Sequence, residues 1–380
     1  MSAFVDLRAA EFGQLGQVAY LDAASIGILP ERSRRALVEM ADLRARPWYA
    51  KDRLFAIFAE SRRLAARLIG ASPAEIALTG NTSIGLNTAA RMLPLGPGDI
   101  VLVSEREFPA NVYPWLRLAQ QGVVTEMVPL TSRGWPDEDR MVERLRDPRV
   151  RCLAVSAVQF ASGYRADLVR LSAATRASGA FLVVDAIQAL GQLPIDVGEV
   201  EIDLLATGGQ KWLLSPWGTG FLYVRRALVE RLLPPYAGWL AFEGTDDFNR
   251  LTDYGTEWHH DARRFELITL PFQDFAAMNR SLQLLLEVGP AAVQRHLRRV
   301  YEPLEAMAER RGLERASPEG AAGSGVLCLR VPGAERALHA LRDEGVICSL
   351  REGALRFSAH LYNTPDDTAR ASEVLERQLT

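Results

Sequence analysis

Lysine is nearly missing from this chain. Of 44 basic residues only two, Lys51 and Lys211, are lysines; the other 42 are arginines. Cysteine is sparse as well. Cys152, Cys328 and Cys348 are odd in number and form no C-x-x-C, so neither a disulfide framework nor a zinc site is indicated, and they read as small strand residues. No apolar run approaches the roughly 18 residues of a membrane span. The N-terminus, MSAFVDLRAAEFGQ, carries acids and an arginine where a signal peptide needs an apolar core. Positive charge is not in excess: the net charge of −3 argues against a nucleic-acid partner, while leaving room for a local basic pocket. These absences point to a cytoplasmic protein with no membrane, nucleic-acid or metal partner.

What is present is a regular alternation. From about residue 75 to 225, short apolar runs alternate with stretches of helical period. Candidate strands are 75–79, 99–105, 123–130, 151–159, 180–186, 203–208 and 220–224. Helical patterns such as 137–146 and 165–179 lie between them, the second stopped by Gly179. Strands alternating with helices predict an α/β fold with a doubly wound, mainly parallel sheet, whose ligands sit beyond the carboxyl ends of the strands. After residue 225 come a loop rich in aromatics, a helix over 272–288 broken by Gly289-Pro290, and a helix over 291–311. A smaller α+β unit follows, with strands at 325–331, VICSL and ALRFS, and a last helix after Asn363-Thr364-Pro365.

Against an arginine background, a retained lysine asks for a reason. Arginine replaces lysine wherever only charge is needed, but a guanidinium does not lose its proton to attack a carbonyl. Lys51 lies in a polar, exposed helical pattern and needs no such account. Lys211 stands in TGGQKWLLSPWGTG (207–220), after a candidate strand and a glycine pair, as a Schiff-base lysine would. The run FLVVDAIQA (181–189) ends an apolar strand in Asp185, at the sheet edge where a ligand belongs. A buried acid there can hold a metal, cap a helix or pair with a cationic ring nitrogen. The nucleotide–metal option lacks its phosphate loop, since neither G-x-x-x-x-G-K-[ST] nor a G-x-G-x-x-G after a strand occurs. An amine that binds an aldehyde and a carboxylate that keeps a pyridine nitrogen protonated are the pair that pyridoxal phosphate needs. Gln188 is placed to hydrogen-bond the ring's phenolic oxygen. In LTGNTSIGLNTAA (78–90) a helix opens on Thr82 and Ser83, either as plain N-caps or as an anion site built from hydroxyls and free N–H groups.

These segments, taken in order, resemble the class V aminotransferase family of fold-type-I pyridoxal-phosphate enzymes, which includes cysteine desulfurases, selenocysteine lyases, kynureninases and isopenicillin N epimerase-like proteins. The likeness runs through VAYLDAAS (18–25), TGNTSIGLN (79–87), SEREFPANVYPW (104–115), SAVQFASGYRADL (156–168), VVDAIQA (183–189), TGGQKWLLSPWGTGFLYV (207–224), RRFELITLP (263–271) and LRFSAHLYNTPDD (355–367). The resemblance implies a large cofactor-binding domain over 26–260 and a small domain made of 1–25 and 261–380. By position it implies Lys211 as the lysine that carries the cofactor and Asp185 as the partner of its ring nitrogen. Gln188 would face the ring oxygen, Thr82, Ser83 and Gln210 the phosphate, and Phe108 the ring face. Thr269 matches a residue that reaches the phosphate of a neighbouring subunit, implying a homodimer, and Arg356 matches the arginine that grips the carboxylate of an amino-acid substrate.

The departures concern the reaction. Desulfurases carry a catalytic cysteine on a mobile loop just before the strand of the carboxylate arginine; here GVICSLREG (345–353) runs straight into ALRFS, and Cys348 falls inside a strand pattern. Their ring-stacking histidine is Phe108, the histidine before their lysine is Gln210, and an asparagine is Phe160. A persulfide-forming desulfurase is therefore not expected. The reading is a lyase that cleaves at the β-carbon, including C–S bonds, with transamination and epimerisation as alternatives, and a cofactor-free binding protein as the alternative of another class. His259 and His260, in EWHHDARRF, are either an acid or base near the site or ordinary loop residues.

Overall fold

The structure, a computed structural model, describes residues 2–46, 52–267 and 269–379; Lys51 lies outside the described residues. Seven strands form the central sheet: β1 (Ile76–Leu78), β2 (Ile100–Ser104), β3 (Val124–Val128), β4 (Val150–Ser156), β5 (Phe181–Asp185), β6 (Leu204–Gly208) and β7 (Gly220–Val224). Their order is β1-β7-β6-β5-β4-β2-β3. Only β7 runs against its neighbours, so the sheet is mainly parallel. Each strand expected between residues 75 and 225 is present, shortened by a residue or more at most ends.

The strands read as near-continuous apolar runs because both faces are covered. Ile100, Leu102, Leu182 and Val184 feed one core, while Val101, Val103 and Val183 feed the other, as the two-residue period of a strand requires. Helices seal both faces. The one over Phe272–Val288 packs against Glu31–Arg44 and Asp52–Ile69. Two buried hydroxyl contacts tie it there, Ser33 to Ser281 and Ser61 to Asn279, each at 2.7 Å.

A second, antiparallel sheet comprises β8 (Glu314–Arg315), β9 (Val326–Arg330), β10 (Ser349–Arg351) and β11 (Ala354–Ser358), in the order β10-β11-β9-β8. The N-terminal segment joins this part of the molecule. Ala19–Tyr20 pairs with Val346–Ile347, and Asp22 bridges to Ser358. No helix among the described residues is long and apolar enough to cross a membrane. What matters for function is the register: Ser156, Asp185 and Ala206 lie side by side at the carboxyl edge of β4, β5 and β6.

Candidate active site

Asp185 ends β5 and is buried; its Oδ1 accepts the Ile187 N–H at 3.0 Å. Burial pushes its carboxyl up to about 6, against the pull of that N–H and of the Lys211 charge. Lys211 follows β6 in a loop closed by Gly209 N–H to the Thr219 carbonyl and Leu214 N–H to its own carbonyl. Burial brings its ammonium down to about 8, with Arg356 and Arg351 adding to the fall and Asp185 opposing it. This is the environment a lysine needs to act as a free amine near neutral pH.

The Lys211 loop is fixed by close backbone approach. A Cβ at Gly27 would lie 2.0 Å from the Lys211 carbonyl oxygen, and one at Gly191 2.0 Å from that of Trp212, so only glycine fits at either place. Trp212 is held at both ends: its Nε1 donates to Gln188 Oε1 at 2.7 Å, and its carbonyl accepts from His360 Nε2 at 2.9 Å. His360 also accepts the Leu361 N–H on Nδ1, and burial takes its pKa down to about 4, so it is a neutral, fixed tautomer.

Thr82 and Ser83 open the helix Thr82–Met92, but neither caps it. Asn81 does, accepting the Ile84 N–H at 2.9 Å. The Thr82 hydroxyl is thereby left buried with no partner. A Cβ placed on Gly208 would meet Thr82 Oγ1 at 3.2 Å and Gln210 Oε1 at 2.5 Å, which shows these groups lining one small hollow at the helix start. Ser83 is exposed on the same first turn. Phe108 stands over the amine, with Lys211 Nζ 5.3 Å from its ring centroid, and meets Phe160 edge-on at 5.3 Å.

Arg356, on β11, comes to the same place from the small sheet. Its buried guanidinium donates to the Phe160 carbonyl at 2.8 Å, Ser25 Oγ at 2.7 Å and Ser349 Oγ at 3.2 Å, with Asp22 at 3.4 Å. The structure thus brings Lys211 together with Asp185 and Phe108, and Thr82 with Gln210. Arg356 adjoins them through Phe160.

Two expected residues also have partners of their own within this chain. Gln188 is buried with its amide oxygen on Trp212 and one amide N–H on the Ala24 carbonyl, so it braces the loop that carries Lys211. Thr269 is exposed and accepts from Trp239 Nε1 at 3.0 Å, sharing no hydrogen bond with the other site residues among those described. The two loop histidines point elsewhere. His259 is buried 2.9 Å from the Glu243 carboxylate, off the line of a good hydrogen bond, and His260 is exposed.

Sequence reasoning missed Glu107. It is buried beside Phe108, its carboxylate accepting the Ser156 N–H at 2.8 Å and meeting the Ser156 hydroxyl at 2.5 Å. Burial raises it to about 7, and the Asp185 charge adds to the rise. A glutamate directly before the expected ring-facing residue was the available signal. The three cysteines are buried; burial pushes Cys348 up to about 12, and Glu352-Gly353 alone connects β10 to β11.

A carboxyl at a parallel-sheet edge, a lysine freed by burial and a hollow at a helix start are consistent with an enzyme of the aminotransferase class-V family. The chain belongs to that family, matching it over residues 49–370. It is 29% identical over 306 residues to an uncharacterized aminotransferase, YcbU, of Bacillus subtilis, covering 80% of each chain. It is 28% identical over 379 residues to isopenicillin N epimerase of Streptomyces clavuligerus, covering 94% of each. The crystal structure of the cysteine desulfurase CsdA of Escherichia coli superposes with a TM-score of 0.85 at 25% identity, over 99% of this chain and 98% of the other.

The family is pyridoxal-phosphate-dependent, and the residues fit that cofactor. The orphaned Thr82 hydroxyl, the Gly208 hollow and the free N–H groups of a helix start suit its phosphate. The buried Asp185 carboxyl suits its ring nitrogen, and the depressed Lys211 amine its aldehyde.

Proposed function

We propose that the protein is a pyridoxal-phosphate-dependent lyase that removes the α-proton of an amino acid and cleaves at its β-carbon. The observation that carries the reading is the convergence of Asp185, Lys211 and Phe108 at one sheet edge. When bound, the cofactor supplies a carbonyl for the substrate amine and a ring that spreads the charge left by the departing α-proton. Asp185 would pair with the ring nitrogen, and its buried setting would make that charge pair strong. Thr82, Ser83 and Gln210 hold the phosphate, Phe108 covers the ring, and Lys211 Nζ takes the α-proton as general base. Arg356 would bind the α-carboxylate and so fix how the substrate is presented to Lys211. The residues 26–260 form the cofactor-bearing unit, and 1–25 with 261–380 the unit that brings Arg356.

Cleavage rather than persulfide formation is favoured because each cysteine is buried and the β10–β11 connection is a tight turn. The second reading, transamination with a keto-acid acceptor, is supported by the aminotransferase relative. Incubation with thioether and other amino acids, with and without an acceptor, separates the two. Release of a thiol and a keto acid without acceptor is the expected result; turnover that strictly needs the acceptor overturns the lyase reading. The protein works as a cytosolic homodimer, with Thr269 at the interface. Trp239, which bonds Thr269, and Phe248, which meets Trp239 edge-on, leave apolar surface exposed there, as a subunit contact would. A monomer with full cofactor affinity in solution would contradict this.

A further inference from the structure

A cleft lined in part by Ala354, on the same strand as Arg356, opens between the segment that leads into Phe108, the turn at Arg133–Pro136 and the β10–β11 hairpin tip. Arg106, Arg133, Arg330 and Arg351 line it, against Glu105 and Glu352. Two of these arginines are neutralised: Arg330 bonds Glu314 at 3.0 Å, and Arg106 is 3.8 Å from Glu352. The other two have no carboxylate at salt-bridge distance among the described residues. Arg133 lies 5.1 Å from the Trp135 ring centroid, and Arg351 donates only to the Leu350 carbonyl and, at 3.4 Å, to Ser25 Oγ.

Ser25 ties Arg351 of the cleft to Arg356 of the site. Its hydroxyl also accepts from Arg356 at 2.7 Å, so Arg351 and Arg356 meet on one oxygen. Phe160, whose carbonyl holds Arg356, sits between Gln159 and Ala161, which both line the cleft. The backbone here is strained: Arg106 has φ 56° and Glu352 φ 46°, left-handed values that non-glycine residues avoid unless the surroundings hold them. Unanswered positive charges converging on a substrate pocket mark where negative charge is received.

We propose that the substrate is an α-amino acid whose side chain ends in a second anionic group, held in this cleft by Arg351 and Arg133 while Arg356 takes the α-carboxylate. This rests on the reading that the site binds an amino acid at a cofactor carried by Lys211. A terminal carboxylate and a terminal phosphate share the required chemistry.

The experiment titrates the holoenzyme with matched pairs of equal length, aspartate against asparagine and glutamate against glutamine, together with 2-aminoadipate and phosphoserine. Binding is followed by the change in cofactor absorption. The acid of the best-fitting pair is expected to bind at least about tenfold tighter than its amide. The ranking of aminoadipate and phosphoserine identifies which anion and which length the cleft takes. In Arg351→Gln and Arg133→Gln proteins, with melting temperatures near that of the unaltered chain, that ratio falls toward one. Equal affinity within every pair, or a ratio that survives both substitutions, overturns the proposal while leaving the functional reading intact. An absorption spectrum that answers to no amino acid overturns that reading, and the proposal with it.

Discussion

The two sides of the site are built differently. On the central-sheet side, Asp185 and Lys211 sit at strand ends, buried, with backbone N–H groups and glycine contacts holding them. On the small-sheet side, Arg356 is held by side chains and carbonyls from separated parts of the chain: Asp22, Ser25, Phe160 and Ser349. The difference teaches a division of labour. Burial on the first side moves proton affinities, bringing a lysine down and a carboxyl up toward neutrality. The second side keeps a permanent charge, because arginine stays protonated even where burial lowers its pKa. Chemistry belongs to the first and orientation to the second.

The largest effect that breaks this comparison is expected from Lys211→Arg. It keeps the charge but not the removable proton, so turnover should fall by about 10²–10⁴-fold or more, with loss of the cofactor's visible absorption. Asp185→Asn keeps the shape and removes the charge; steady-state kinetics should show turnover down by about 10²–10³-fold. His360→Ala leaves the buried Trp212 carbonyl unsatisfied and should lower the stability of the protein by about 1–3 kcal/mol in denaturant titration. Thr82→Val should weaken cofactor binding roughly tenfold, the equivalent of about one hydrogen bond to a charged group, while leaving the absorption of the bound form in place.

A pH experiment sharpens the same contrast. The Lys211 amine is neutral above about 8, so the rate at which cofactor-free protein takes up the aldehyde should rise as pH passes through that value. The folded value lies below the ordinary lysine value of 10.5, so the unfolded chain binds more protons between the two. The Lys211 contribution to the stability of the cofactor-free protein should therefore rise with pH across that window, read as the difference from Lys211→Ala.

The central-sheet side was legible in the sequence because its signals are local. An apolar strand that ends in aspartate, and one lysine among arginines, each stand within a few residues. The helix start at Thr82 was legible too, although the cap is Asn81 rather than either hydroxyl. The supporting network was not legible, since its partners are far apart in the chain. Glu107 meets Ser156 from 49 residues away, His360 reaches the Trp212 carbonyl across 148, and Ser349 reaches Asp22 across 327. Gln188 shows the limit of position alone. Its place one turn beyond Asp185 suggested the ring oxygen; it did not reveal that the amide oxygen also accepts from an indole 24 residues on.

The scarcity of lysine makes the central claim directly testable. Holoenzyme reduced with borohydride and digested with trypsin should carry one cofactor adduct, located by mass spectrometry on the peptide containing Lys211. An adduct on Lys51 or the N-terminus instead, or none on a protein that still shows the cofactor's absorption, would contradict the assignment.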